Sequence, residues 1–178
     1  MSKFAAAMER RNVVIEVRSV TVGFVDTINH DHALSISAVA AAVVAGGPVI
    51  QTRALRIQWT PRFTISGGRS IYSPSVVGTG AASEYDRFAY LDEDELADCV
   101  QMLDAMMERA AQRGSDADNL EIAYAIREEL CIILRRDNGE DKVSVQLRRY
   151  SVTVSMAQLT QLRDVLNEGF RRLSELSP

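Results

Sequence analysis

The stretch NHDH at residues 29–32 holds both histidines of the chain, His30 and His32, with Asp26 and Asp31 close by. A His-x-His pair on a strand projects both imidazoles to one side, and with a carboxylate it can hold a divalent metal. The same residues also read as a turn, and no third ligand stands at a recognisable spacing. A solvated turn is therefore expected, with a metal-dependent enzyme centred on His30 and His32 as an alternative. Cys99 and Cys131 stand far apart with no second pair. Both fall on apolar faces, so each is expected to be a small buried hydrophobe in a reducing compartment.

Other chemistries lack their residues. There is no phosphate-binding loop, no dinucleotide glycine fingerprint, no nucleophile elbow and no paired-cysteine zinc spacing. Gly67-Gly68 and the glycines at 78 and 80 lack the lysine and helix start that a phosphate cradle uses, and read as turns. We assign no catalytic residue, no metal ligand and no cofactor from the sequence.

Charge separation carries more information. From His32 to Ser83 there is no Asp or Glu, while Arg53, Arg56, Arg62 and Arg69 fall inside that span; nine acids then arrive between Glu84 and Glu108. The net charge of −4 hides a basic strand region followed by an acidic helix. Lys3 and Lys142 are the only lysines. Arginines on one sheet face could hold phosphate or carboxylate bidentately, and the candidates are Arg56, Arg62, Arg135, Arg148 and Arg149. The alternative is that these arginines are solvated strand residues. Strand parity places Trp59 and Phe63 with Leu55, Ile57 and Ile65 on the core face, which leaves the arginine face almost without aromatics.

The elements that position these residues follow from periodicity. The segment 92–110 carries Leu96, Cys99, Val100, Leu103, Met106, Met107 and Ala110 on one helical stripe, with Asp92 and Glu95 at capping-box spacing. The segment 155–173 does the same with Leu159, Leu162, Val165, Leu166, Phe170 and Leu173 behind Ser155 and Gln158. At an offset of 63 residues Leu96, Cys99, Met102, Leu103, Met107 and Ala110 fall on Leu159, Leu162, Val165, Leu166, Phe170 and Leu173. A strand precedes each cap, FAYL at 88–91 and SVTV at 151–154. The same letters SVTV at 19–22 are therefore a coincidence of alternating strand composition rather than the repeated unit.

Alternation predicts further strands around Val13 to Phe24, Leu55 to Ile65, 121–126, 130–136 and 143–147, with Pro61 ending or kinking one of them. Asp137-Asn138-Gly139 signals a hairpin, and Arg148-Arg149 a bulge or tight bend. The uncharged run ALSISAVAAAVVAGGPVIQT at 33–52 contains glycines and a proline, and its apolar part is shorter than the ~20 residues of a membrane span. It reads as a buried strand or helix.

The expected fold class is α+β, with two strand-meander-plus-helix units, antiparallel sheets and one amphipathic helix closing each unit. The expected boundaries are 1–111 for the first unit, 112–119 (QRGSDADN) for a linker and 120–178 for the second, with packing as one domain allowed. A doubled sheet-plus-helix unit with arginines on the open face is similar in layout to the Whirly and PUR-type single-strand nucleic-acid binders, although no signature residue of either is matched. By exclusion, the expected function is a non-catalytic binding or adaptor protein that recognises a protein partner or forms a homo-oligomer. Single-stranded nucleic-acid binding through the five arginines is the alternative. The N-terminus MSKFAAAMERRN shows no long apolar run, so a cytoplasmic protein without a membrane segment is expected.

Overall fold

A computed structural model describes residues 1–65, 69–72, 88–113 and 120–176; the side chains of 62–65 and 69–72 are outside the description. The architecture is α+β, with two antiparallel sheets, each leading into an amphipathic helix. The first sheet contains β1 (Val14–Asp26), β2 (His32–Ala45), β3 (Gln51–Ile65), β4 (Arg69–Tyr72) and β5 (Phe88–Asp92), and ends in α2 (Leu96–Gln112) through one 3-10 turn. The second is the meander β6 (Glu121–Ile126), β7 (Leu130–Asp137), β8 (Glu140–Leu147) and β9 (Tyr150–Val154), followed by α3 (Met156–Glu175). A short helix α1 (Lys3–Met8), which the sequence pattern did not suggest, precedes them.

β5 and β9 each run straight into a capped helix, while 19–22 lie in the middle of β1. The capping boxes form as the spacing demands: the Glu95 carboxylate accepts the Asp92 N–H at 2.9 Å, and Gln158 accepts the Ser155 N–H at 2.8 Å. The β7–β8 hairpin turns on Asn138 (φ 51°) and Gly139 (φ 79°), the left-handed pair that a two-residue hairpin needs. Gly67, Gly68, Gly78 and Gly80, and most of the expected linker, lie outside the described residues.

β2 explains the neutral run. Its residues from Ala33 to Val43 are buried on both faces, so neither face has water available for a charge. Ala, Ser and Val there let covering elements approach closely. β3 continues through Pro61. Its residues 54–58 pair with β5 and 62–65 with β4, and Pro61, which has no N–H, falls between these two stretches.

The helices cross between the units. α3, which follows the second sheet, lies over β1, β2 and β3 of the first. Gly169 sits directly on Leu55 of β3, and Val165 on Gly23 of β1. α2 packs against β6 of the second sheet and against α3, where Arg163 reaches Asp104 at 2.8 Å. One core cluster consequently joins Leu34, Ile36, Leu55 and Ile57 to Ile132, Leu134, Val143 and Val145, with Leu103 and Leu166 fully buried in it. Arg136, only 8% exposed, ties the two units as well: it donates twice to Asp141 and once to the Ala110 carbonyl at the end of α2.

Two details differ from the stripe reading. Phe170 is 46% exposed, because Gly169 rather than its bulky neighbour takes the contact with the sheet. Cys99 is fully buried, but Cys131 pairs with Ala125 and Gln146 on the outer face of the second sheet and is half-buried. No helix among the described residues is long and apolar enough to cross a membrane.

Candidate functional site

The face of the first sheet opposite α3 is set by register. Ser37 of β2, Arg56 of β3 and Tyr90 of β5 are cross-strand neighbours in one row, and Ser35, Gln58 and Phe88 form the next. Small serines on one side and aromatics on the other leave the Arg56 stem room to lie along the sheet. α1 rests over this face: the Phe4 ring lies 4.8 Å from Tyr90, and Tyr90 meets Phe88 edge-on at 5.1 Å.

α1 is held there by buried carboxylates. Asp92, 2% exposed, accepts the N–H groups of Lys3 at 2.7 Å and Phe4 at 3.1 Å, and Glu129 accepts that of Ser2 at 3.2 Å. Arg127 closes the network from the second unit, pairing with Asp92 and Glu95 and donating to the Tyr90 carbonyl. An acid at a helix N-terminus compensates the orphan N–H groups of the first turn.

Between α1 and the sheet lies a cleft of about 230 Å³ lined by Ala5, Met8, Glu9, Arg56, Phe88, Tyr90 and Arg148. Arg148 enters from the two-residue turn between β8 and β9. Its backbone is left-handed (φ 51°), and its N–H donates to the Glu129 carbonyl at 3.0 Å. That turn takes the side chain away from the face of Gln146, where simple alternation would put it. The Arg148 guanidinium stands 3.6 Å from the Glu129 carboxylate. The cleft adjoins a shallower depression of about 590 Å³ that adds Arg127, Glu128, Glu129 and Arg149.

Within the cleft, Arg56 has a buried Nε with no hydrogen-bond partner, a state shared in the adjoining depression by the Arg127 Nε and one Glu129 carboxylate oxygen. A buried charged donor without an acceptor costs on the order of 1–3 kcal/mol, and an incoming anion would meet the accessible part of the same guanidinium and compensate its charge there. Two guanidiniums beside two aromatic rings can hold an anion and stack a flat group.

Of the five arginines singled out by sequence, Arg56 and Arg148 meet in this cleft and Arg149 lines the adjoining depression. Arg135 is elsewhere, on the outer face of the second sheet, paired with Glu121 at 2.7 Å. The side chain of Arg62 lies outside the description. The expectation that the arginine face lacks aromatics is corrected: Phe88 and Tyr90 share it with Arg56, because β5 pairs with β3 and presents Ala89 and Leu91 to the core. Alternation in FAYL carried that signal, but its adjacency to Arg56 depends on a strand pairing that skips β4.

The histidines separate. His30, at a turn position with φ 56°, faces Asp26 at 3.7 Å, while His32 faces Asp31 at 2.8 Å. Among the described residues no three or more His, Cys, Asp or Glu side chains converge as a metal site. The His32 ring instead stacks on Trp59 at 4.5 Å, and Trp59 stacks on Tyr150 at 5.2 Å, a ladder that bridges the two sheets.

No family model, no curated protein and no solved structure matches this chain. The functional reading therefore stands on the geometry of the cleft.

Proposed function

We propose that the protein is a non-catalytic binding protein whose cleft takes a nucleotide unit, a ring carrying a phosphate, from a single-stranded nucleic acid or a free nucleotide. One observation carries this reading: the buried Nε of Arg56 has no acceptor and lies beside Tyr90 and Phe88, in a cleft that Arg148 also lines. The phosphate would take the two guanidiniums and the ring would lie against the aromatics. An acidic protein segment could satisfy the arginines but would leave the aromatic pair unused, which favours the nucleotide. The free thiols Cys99 and Cys131 fit a cytoplasmic setting.

Binding of a labelled single-stranded oligonucleotide and of a mononucleotide, each measured across a salt series, tests the reading. Affinity is expected to fall with salt and to weaken roughly ten- to hundredfold in Arg56→Ala and in Arg148→Ala, the loss of a charged hydrogen bond. Equal affinity for both probes would identify the free nucleotide as ligand, and a gain with the oligonucleotide would identify the strand. If neither probe binds at low salt, or if both variants bind as the parent does, the proposal fails.

A further inference from the structure

Among the described residues β1 is the outer strand of the first sheet and pairs only with β2. Along residues 14–21 its other edge meets no strand among the described residues, and nearly all of that stretch is exposed on both faces. Val14 is 58% exposed, Val17 45% and Val20 38%. Natural sheet edges are blunted by shortness, by charge or by bulges. β1 is 13 residues long, its register irregularities sit between Val14 and Ile15 and between Thr21 and Gly23, and the regular run between them carries just two charges, Glu16 and Arg18.

Those two charges are spaced for a particular partner. In an antiparallel pairing of β1 with another β1, centred on Val17, Val17 faces its own copy. Glu16 of each chain then faces Arg18 of the other, and Val14 faces Val20. Residues directly opposite share a face, so both salt bridges form on one face of the joined sheet and the valines at the centre meet on the other. A shift of the centre to residue 16 would set glutamate on glutamate, and to residue 18 arginine on arginine, so like-charge repulsion rejects both neighbouring registers. Within one chain Arg18 already donates to Glu16 at 2.9 Å, a pair with 53% and 45% of its side-chain surface exposed that can be exchanged for the two intermolecular ones.

We propose that the protein forms a twofold-symmetric dimer by antiparallel β1–β1 pairing centred on Val17, which joins the first sheets of two copies into one. This inference rests on β1 and is independent of the cleft.

Sedimentation equilibrium of the full chain and of Glu16→Arg, Arg18→Glu and the charge-swapped double variant tests it, with circular dichroism to verify that each is folded. The parent is expected to dimerise. Each single variant places like charges opposite one another twice and is expected to weaken the dimer by roughly tenfold or more. The double variant exchanges the signs and is expected to return toward the parent affinity. Val17→Asp, which sets carboxylates against each other at the centre, is expected to be monomeric. A monomeric parent overturns the proposal, as do single variants that dimerise like the parent or a double variant that does no better than the singles.

Discussion

Replacing Gly169 with alanine sets two effects of comparable size against each other. In the middle of α3, alanine is favoured over glycine by about 1 kcal/mol because it restricts the unfolded backbone and shields the helix. The added Cβ, however, would lie 2.7 and 2.8 Å from the two methyl carbons of Leu55 and 3.3 Å from its Cγ. Leu55 is 0% exposed and embedded in the common core, so those methyls have no open space to enter. Overpacking of that kind costs about 1–3 kcal/mol. The net expectation for Gly169→Ala is a loss of about 1 kcal/mol, a fall in Tm of about 2–4 °C for a chain of this size.

A double-mutant cycle sharpens the test. Leu55→Ala alone should cost about 2–5 kcal/mol by opening a cavity. In that background the new methyl at residue 169 meets no obstruction, so Gly169→Ala should become stabilising by about 1 kcal/mol, a coupling of about 2 kcal/mol. Urea denaturation of the four proteins measures all the terms. If Gly169→Ala stabilises both backgrounds equally, the seating of α3 on β3 is refuted, and with it the crossing of the second unit's helix onto the first sheet.

Asp92→Asn should weaken the seating of α1: the carboxylate that receives the Lys3 and Phe4 N–H groups and faces Arg127 loses its charge, at a cost of about 1.5–3 kcal/mol. Hydrogen exchange at these two amides should quicken while the core strands stay protected, and unchanged exchange would count against the clamp. Base should destabilise the fold. Burial, with Glu95 nearby, pushes the Cys99 thiol up from 9.0 to about 12, and burial, with Cys99 and Asp98 nearby, pushes Tyr124 up from 10.0 to about 12. The folded chain therefore holds both protons more tightly than the unfolded one. Their contribution is complete below pH 9.0 and is lost as the pH rises toward about 12. Denaturation midpoints measured over that window should fall, and a flat profile would contradict the burial of Cys99.

The secondary structure was legible because its signals are local. Asp92 with Glu95 and Ser155 with Gln158 cap their helices through contacts three residues apart, and Asn138-Gly139 turns its hairpin through the left-handed backbone those residues tolerate. Arg56 and Arg148 could be picked out by charge, but so could Arg135, which pairs with Glu121 on the outer face of the second sheet, and only the tertiary fold separates them. α1 escaped notice because six residues carry too little periodicity, and what fixes them is the distant pair Asp92 and Glu129.

The sequence alone determined the two capped helices, most of the strands, which faces are apolar and where opposite charges separate, because each of these depends on residues a few positions apart; it left 33–45 open between strand and helix and did not show α1 or β4. The tertiary structure decided what those faces meet. It set α3 across the first sheet, brought β5 beside β3 so that Phe88 and Tyr90 flank Arg56, and turned Arg148 into the same cleft from the other unit. An apolar stripe specifies that it must be buried but not by which partner. That choice is made by shape, here by the absence of a side chain at Gly169 over Leu55 and at Gly23 under Val165.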